Sequence, residues 1–286
     1  MGRDGELCRA QPAARVCYPA KDGLPSDRIM ALASAGEDAL WVATDEGLVR
    51  WSRGRFSPAA ISGLPPGGVT ALAAAADGAL WVGTRAGLYR ARDRRAEGPL
   101  HGISSEVWSL LLDRAGSLWV GTNGAGVFRV GDGRADQFSS RQGLTHDFVD
   151  AVYEDREGSV WIGTRGGGLD RLSDGKVTPY GPPEGLRGEI TFSVRGDGAG
   201  NVWVGTDSGL NRIAANGEVT SYGAEHGLTS TFIASLAADR STGELWVGTH
   251  GGGLHRWGDG RLARYRPVEG AMAEGIWSLL PGPRGA

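Results

Sequence analysis

Val160-Trp161-Ile162-Gly163-Thr164 is one of six copies of the string Trp-[Val/Ile]-[Gly/Ala]-Thr, and that recurrence decides the fold. The copies begin at Trp41, Trp81, Trp119, Trp161, Trp203 and Trp246, so the steps are 40, 38, 42, 42 and 43 residues. A sustained period of this length marks a repeat architecture. In the third unit Val107 to Leu112 reads as an inner strand A. Leu118 to Thr122 reads as strand B, Val127 to Val130 as strand C and Ala135 to Phe138 as strand D. Each run is rich in β-branched and aromatic residues and is bounded by Gly and Asp, the signals of short strands joined by hairpins.

A second column sets the register. An aromatic stands five residues before a Gly at Tyr18, Phe138, Tyr180, Tyr222 and Tyr265. A small residue recurs in strand A at Ala31, Ala71, Ser109, Ala151, Ser193, Ser235 and Ser278, as the crowded centre of a ring requires. Four antiparallel strands per unit predict an all-β β-propeller of the seven-bladed type. Six blades are complete, and the incomplete seventh is shared by the termini. Residues 1–14 read as an N-terminal tail and 15–286 as one propeller domain. The N-terminus is expected to enter at a strand D over Arg15 to Tyr18, and the C-terminus to stop after a strand A over Ile276 to Leu280. On that reading the chain is part of a longer product, or its ring closes imperfectly.

Composition agrees. Of 286 residues 49 are Gly, which supplies positive φ in tight turns. The formal charge of −3 argues against a nucleic-acid partner. No apolar run approaches the ~18 residues of a membrane span, and the N-terminus has no apolar signal-peptide core. Cys8 and Cys17 either pair in an oxidising compartment or remain free thiols.

The unit resembles the two-component regulator propeller repeat. The resemblance rests on Gly143-Leu144, Asp155 to Gly158, Val160-Trp161-Ile162-Gly163-Thr164, Gly167-Gly168-Leu169 and Arg171, and it covers residues from about 15 to 280. It implies an extracytoplasmic, periplasmic ligand-sensing region of a bacterial membrane receptor. Such receptors carry a histidine kinase, response regulator or diguanylate cyclase further along the chain. The sequence therefore reads as the sensor portion, with a C-terminal signalling region of the same receptor as its partner. Neither kinase nor cyclase chemistry is expected in it, nor direct insertion into a membrane.

Residues that recur in every blade serve the blade. The string Thr (Thr44, Thr84, Thr122, Thr164, Thr206, Thr249) and the turn acids (Asp77, Asp113, Asp155, Asp197, Asp239) are expected to satisfy nearby backbone groups. Function is sought where units differ. The B–C and D–A loops open on one face of the ring. There Glu106, Asp147, Glu189 and Glu274 are expected to converge on the channel, with Arg85, Arg165 and His250 on the outer rim. The carboxylates either cap loop amides or contact ligand. Trp108, Phe192 and Trp277 share one strand A position, where they either stack on a sugar ring or fill core. A mouth acidic inside and basic outside suits a neutral polyhydroxyl ligand, such as an oligosaccharide. No cofactor fingerprint is present. His250 and His255 lack metal-site spacing, so no metal is expected. Two other readings stand beside the sensor: a propeller lyase resembling the streptogramin lyases, and a platform for protein interactions.

Overall fold

The computed structural model describes residues 6–11, 14–36, 39–239, 243–258, 260–265 and 275–281. Strands β1 (Glu6–Gln11) and β2 (Ala14–Pro19) form a hairpin. Blade one is β3 (Ile29–Ser34), β4 (Ala39–Thr44), β5 (Leu48–Ser52) and β6 (Arg55–Pro58). Blade two is β7 (Val69–Ala74), β8 (Leu80–Thr84), β9 (Gly87–Arg92) and β10 (Arg95–Glu97). Blade three is β11 (Val107–Leu112), β12 (Leu118–Thr122), β13 (Val127–Gly131) and β14 (Arg134–Phe138). Blade four is β15 (Val149–Glu154), β16 (Val160–Thr164), β17 (Gly168–Ser173) and β18 (Lys176–Tyr180). Blade five is β19 (Thr191–Gly196), β20 (Val202–Thr206), β21 (Leu210–Ile213) and β22 (Val219–Tyr222). Blade six is β23 (Ile233–Ala238), β24 (Leu245–Thr249), β25 (Gly253–Gly258) and β26 (Arg261–Arg264). Each blade is an antiparallel A–B–C–D meander, and successive A strands stand side by side around the centre. Six four-stranded blades in a ring make this an all-β propeller.

The ring closes inward on glycine. A Cβ added to Gly121, Gly163 or Gly205 would lie 2.7, 2.5 or 2.7 Å from Val149, Thr191 or Ile233, the first strand A residue of the next blade. Only a residue without a side chain lets the inner strands approach this closely. Further out the strand B Trp fills the widening gap. Trp119, Trp161 and Trp203 are buried against the next blade's strands A and B. Each indole N–H donates to a turn carboxylate, Asp113, Asp155 or Asp197, at 2.9, 2.7 and 2.8 Å. The turn acids thus bind side chain as well as backbone. Asp77 does not belong to that set. Ala75 makes the equivalent turn bond to Ala79, and Asp77 lies two residues further on. Spacing to the Trp separates the cases: four residues from Asp77 to Trp81, six from Asp113, Asp155 and Asp197 to Trp119, Trp161 and Trp203.

The string Thr hydroxyls close the B–C loops, as in Thr84 Oγ1 to Gly87 O (3.0 Å) and Thr122 Oγ1 to Gly126 O (2.7 Å). The D–A loops of blades four to six are fastened from below. Asp170, Asn211 and His255 share one strand C position and are fully buried. Asp170 Oδ2 accepts from Thr145 N–H (2.9 Å), Asn211 Oδ1 from Arg187 N–H (2.8 Å) and His255 Nε2 from Thr229 N–H (3.2 Å). Burial pushes the Asp170 carboxyl up to about 6 against the opposing Thr145 bonds. Burial, aided by Arg264, lowers the His255 imidazole to about 4.

The ends depart from expectation. Residues 6–11 are strand rather than tail: Leu7 is buried against Val42 and Val49 of blade one. The alternation of Glu6-Leu7-Cys8-Arg9 allows one apolar residue to face that blade, and Cys8 and Cys17 pair across the hairpin in a disulfide. At the other end Ile276 N–H donates to Thr249 O (3.0 Å), and Ile276 meets Gly248 as strand A residues do elsewhere. Beyond Gly275 the segment to Leu280 has no strand partner among the described residues and is not a strand.

Two stability outcomes follow. Trp161→Ala, which leaves a cavity between blades four and five, is expected to cost about 3–5 kcal/mol in denaturant unfolding. The pH dependence has a sign at Asp170. Its folded carboxyl holds a proton that the unfolded chain releases near its ordinary 3.8, so stability is full below pH 4 and falls as pH rises through 6. His255 acts oppositely: its contribution is full above 6.5 and is lost as pH falls through 4. Asp170→Asn keeps the acceptor for Thr145 and places there the residue blade five already uses. It is expected to gain on the order of 2 kcal/mol at neutral pH. The gain should vanish below about pH 4 in melting scans; an unchanged Tm at neutral pH would refute it.

Candidate functional site

The face carrying the B–C and D–A loops is sewn from blade to blade by backbone bonds. Gly126 N–H donates to Asp147 O, and Gly166 and Gly168 N–H to Glu189 O, at 2.8, 3.0 and 2.8 Å. On this rigid rim strand A carries one further device. In every blade the A–B register slips by a residue, at Met30, Thr70, Trp108, Asp150, Phe192 and Ala234. A β-bulge releases its side chain from the ladder and re-aims it. The position therefore varies freely between blades while the ladder holds the scaffold. The sequence shows the variation but not the bulge, because the slip lies in the pairing and not in the composition.

Two clusters form at these bulges and the loops beside them. In the first, Arg165 of blade four lays its guanidinium 4.2 Å above the ring of Trp108 in blade three. The same guanidinium grips Asp150 with two bonds, Nε to Oδ2 at 3.1 Å and Nη2 to Oδ1 at 2.9 Å. Asp150 is largely buried, and burial raises its carboxyl despite this partner. Phe148 lies 6.2 Å from Trp108 and 5.1 Å from His146, centroid to centroid. In the second, Phe192 stacks on Phe232 at 4.4 Å, and His250 lies 5.5 Å from Phe232 and 4.9 Å from Trp277. Phe148 is 38% exposed and Trp277 50%. Large rings left open to water on a loop face, rimmed by polar groups, mark a binding surface.

The expected acidic ring takes a different form. Asp147 accepts from Ser140 N–H (2.6 Å) and Ser140 Oγ (2.9 Å), so its carboxylate caps the preceding turn. Glu106 accepts from Asn123 Nδ2 (2.9 Å) and pairs with Arg85 at 3.7 Å. Its backbone places it with Phe148, Ile190 and Phe232 rather than with Asp147 and Glu189: Asn123, Arg165, Asp207 and His250 N–H donate to those four carbonyls in turn. The shorter loop of blade three shifts the register by one. Glu189 is exposed and Glu274 lies outside the described residues. Arg85, in the B–C loop of blade two, is 62% exposed. Arg165 is 45% exposed and is tied to the buried Asp150, which needs a counter-charge. Phe148, His146 and Phe232 were missed by sequence reasoning; a search for aromatics in the D–A loops would have found them.

Among described residues, the only cluster with metal-ligand chemistry is Glu6, Cys8 and Cys17, and its sulfurs are consumed in the disulfide. The two aromatic clusters offer instead flat apolar faces, the paired guanidinium of Arg165 and the imidazoles of His146 and His250. That set stacks and hydrogen-bonds; His146 and His250 are also its candidates for proton transfer.

Comparison with known proteins agrees with this architecture. No curated protein matches the chain. Among solved structures it is similar to the extracellular domain of BT3049, a hybrid two component system protein of B. thetaiotaomicron. The identity is 24% and the TM-score 0.72, over 80% of this chain and 32% of that one. The extracellular domain of the one component system protein BT4673 from the same organism gives 20% and 0.73, over 93% and 40%. The chain thus spans well under half the length of these two. Virginiamycin B lyase of Staphylococcus aureus gives 14% and 0.69, over 86% of each chain. At these identities the likeness is one of fold. The two component regulator propeller family matches residues 63–86, 101–124 and 143–166, each stretch running from a D–A loop through strand B. The chain is thus a propeller in which three stretches match the two component regulator propeller repeat.

Proposed function

We propose that this propeller is the extracytoplasmic sensing region of a bacterial signalling receptor, and that the B–C and D–A loop face binds a small neutral polyhydroxyl solute. The observation that carries the binding site is the exposure of Phe148 and Trp277 beside Trp108, Phe232 and His250. Sugar rings present C–H faces that stack on aromatic side chains, while their hydroxyls take up polar rim groups. The paired Arg165–Asp150 unit leaves no strong net charge there, which suits a neutral ligand. Extracytoplasmic placement is supported by the Cys8–Cys17 disulfide, since such bonds persist in oxidising compartments. It is supported also by the extracellular origin of the BT3049 and BT4673 domains, and no helix among the described residues is long and apolar enough to cross a membrane. The solute would shift the population of mouth conformers, and a signalling region of the same receptor would read the shift.

The lyase reading draws on one observation, the 86% coverage of virginiamycin B lyase in both directions. It would assign His146 or His250 to proton transfer. Turnover of a streptogramin B by the pure protein would select it.

The sensor reading is tested on residues whose loss spares the fold. Trp277→Ala and Phe148→Ala remove exposed rings and are expected to leave Tm unchanged. Titration of a neutral oligosaccharide panel, followed by tryptophan fluorescence, should give saturable binding that each substitution weakens about tenfold or more. Binding that survives both would move the site elsewhere. Arg165→Ala is the poorer probe, because it strands Asp150 buried and unpaired and should lower Tm by itself.

A further inference from the structure

Blade two differs from blades three to five on its outer flank. In those blades the strand B indole has an acid for its N–H and a strand D aromatic against its ring: Phe138, Tyr180 or Tyr222, at 5.9, 5.3 and 5.8 Å. Trp81 has neither. Ala75 stands where the acid would be, and Leu100, bonded to Leu88 O at 2.8 Å, stands where the aromatic would be. Arg90 lies 5.2 Å over the Trp81 ring, but the indole N–H has no acceptor among the described residues. Strand β10 is only three residues long, so the flank stays open.

The result is a cleft of about 530 Å³ with Trp81 and Leu100 among its walls and Arg90, Arg92, Arg95 and Glu97 around it. That volume lies within the ordinary ligand-site range of ~300–1,000 Å³. Arg90 and Arg92 are engaged by Asp77, at 2.6 and 3.5 Å. Arg95 has no ion-pair partner among the described residues. Two hydrogen-bond donors, an indole N–H and a guanidinium, therefore stand without acceptors beside one cleft. Asp93 and Glu97 line it as acceptors without partners among the described residues. The hairpin that presents Asp93 and Arg95 is held in place. Arg94 adopts φ 66° where the turns of blades one, three, four and six have Gly, and its carbonyl accepts from Ser62 N–H at 2.9 Å. A non-glycine residue in the left-handed region is strained, and strain of this kind gathers at binding sites.

We propose that this flank cleft is a second ligand site, separate from the mouth, and that it takes a small hydroxycarboxylate. The carboxylate answers the unpartnered donors, chiefly Arg95, whose fork matches it bidentately. The apolar face of the ligand lies along Trp81 and Leu100, and its hydroxyls donate to Asp93 and Glu97. A neutral sugar would leave Arg95 unanswered, and a purely aromatic acid would leave the two carboxylates unanswered.

The experiment uses the full chain labelled with ¹⁵N, glucuronate as the probe, and glucose and benzoate as controls. Glucuronate is expected to shift the Trp81 indole resonance, assigned with Trp81→Phe, and to bind more tightly than either control. Arg95→Ala, an exposed residue whose loss spares the fold, is expected to weaken glucuronate binding about tenfold or more. Trp277→Ala at the mouth is expected to leave it unchanged. Glucose binding as tightly as glucuronate, an unmoved Trp81 resonance, or full affinity in Arg95→Ala would overturn the proposal. Loss of glucuronate binding in Trp277→Ala would also overturn it, by assigning the ligand to the mouth.

Discussion

The distance at which a strand B glycine meets the first strand A residue of the next blade governs this ring. At Gly83, Gly121, Gly163 and Gly205 that residue occupies the space a Cβ would need. The inner strands can then converge. The outer parts of neighbouring blades diverge, and a large residue must fill the wedge. The Trp two residues before that glycine, at the head of the same string, does so. Trp-x-Gly-Thr is therefore one radial statement: wide outside, narrow at the hub, with a hydroxyl to close the loop. Blade one tolerates Ala43 at the hub, so one methyl can be absorbed where the next strand opens with Val69.

The same ladder explains where variation is allowed. Ladder residues are fixed by neighbours on both faces. The bulge residue is not, because the register skips it. Trp108, Asp150 and Phe192 differ in size and charge without disturbing the pairing on either side. Their chemistry is then set by what the neighbouring loops bring to them. Asp150 holds Arg165, and Arg165 in turn covers Trp108. One buried carboxylate thus orders a cation of its own blade and, through it, a ring of the neighbouring blade.

The scaffold was legible because its signals are local and repeated. The third unit's strands fall within a residue or two of their expected bounds, and the string Thr close their loops. What escaped depends on relations that a linear string does not carry. Asp77 has the right residue type in the right turn, but it stands two positions from where an indole could reach it. Glu106 was aligned with the loop acids, yet a shortened loop moves its carbonyl to the place of Phe148. β1 has no repeat of its own to announce it; its evidence is Leu7 packed on Val42 and Val49. Among the candidate site residues, Trp108, Trp277, Arg165 and His250 do come together with aromatic partners, whereas Asp147 is absorbed by its own turn.

The buried clamps connect scaffold and mouth. Blades one to three place Val49, Tyr89 and Phe128 at the strand C position where blades four to six place Asp170, Asn211 and His255. The polar set bonds Thr145, Arg187 and Thr229. Those residues stand three positions before Phe148, Ile190 and Phe232, which border the bulges. A buried polar group costs free energy unless its bonds are made, so each clamp admits few loop conformations. Apolar packing in the other half constrains direction far less. The aromatic side of the mouth is consequently the side whose loops are held before any ligand arrives. A face held in this way loses little freedom on binding, so even a small solute can retain a useful share of its contact energy.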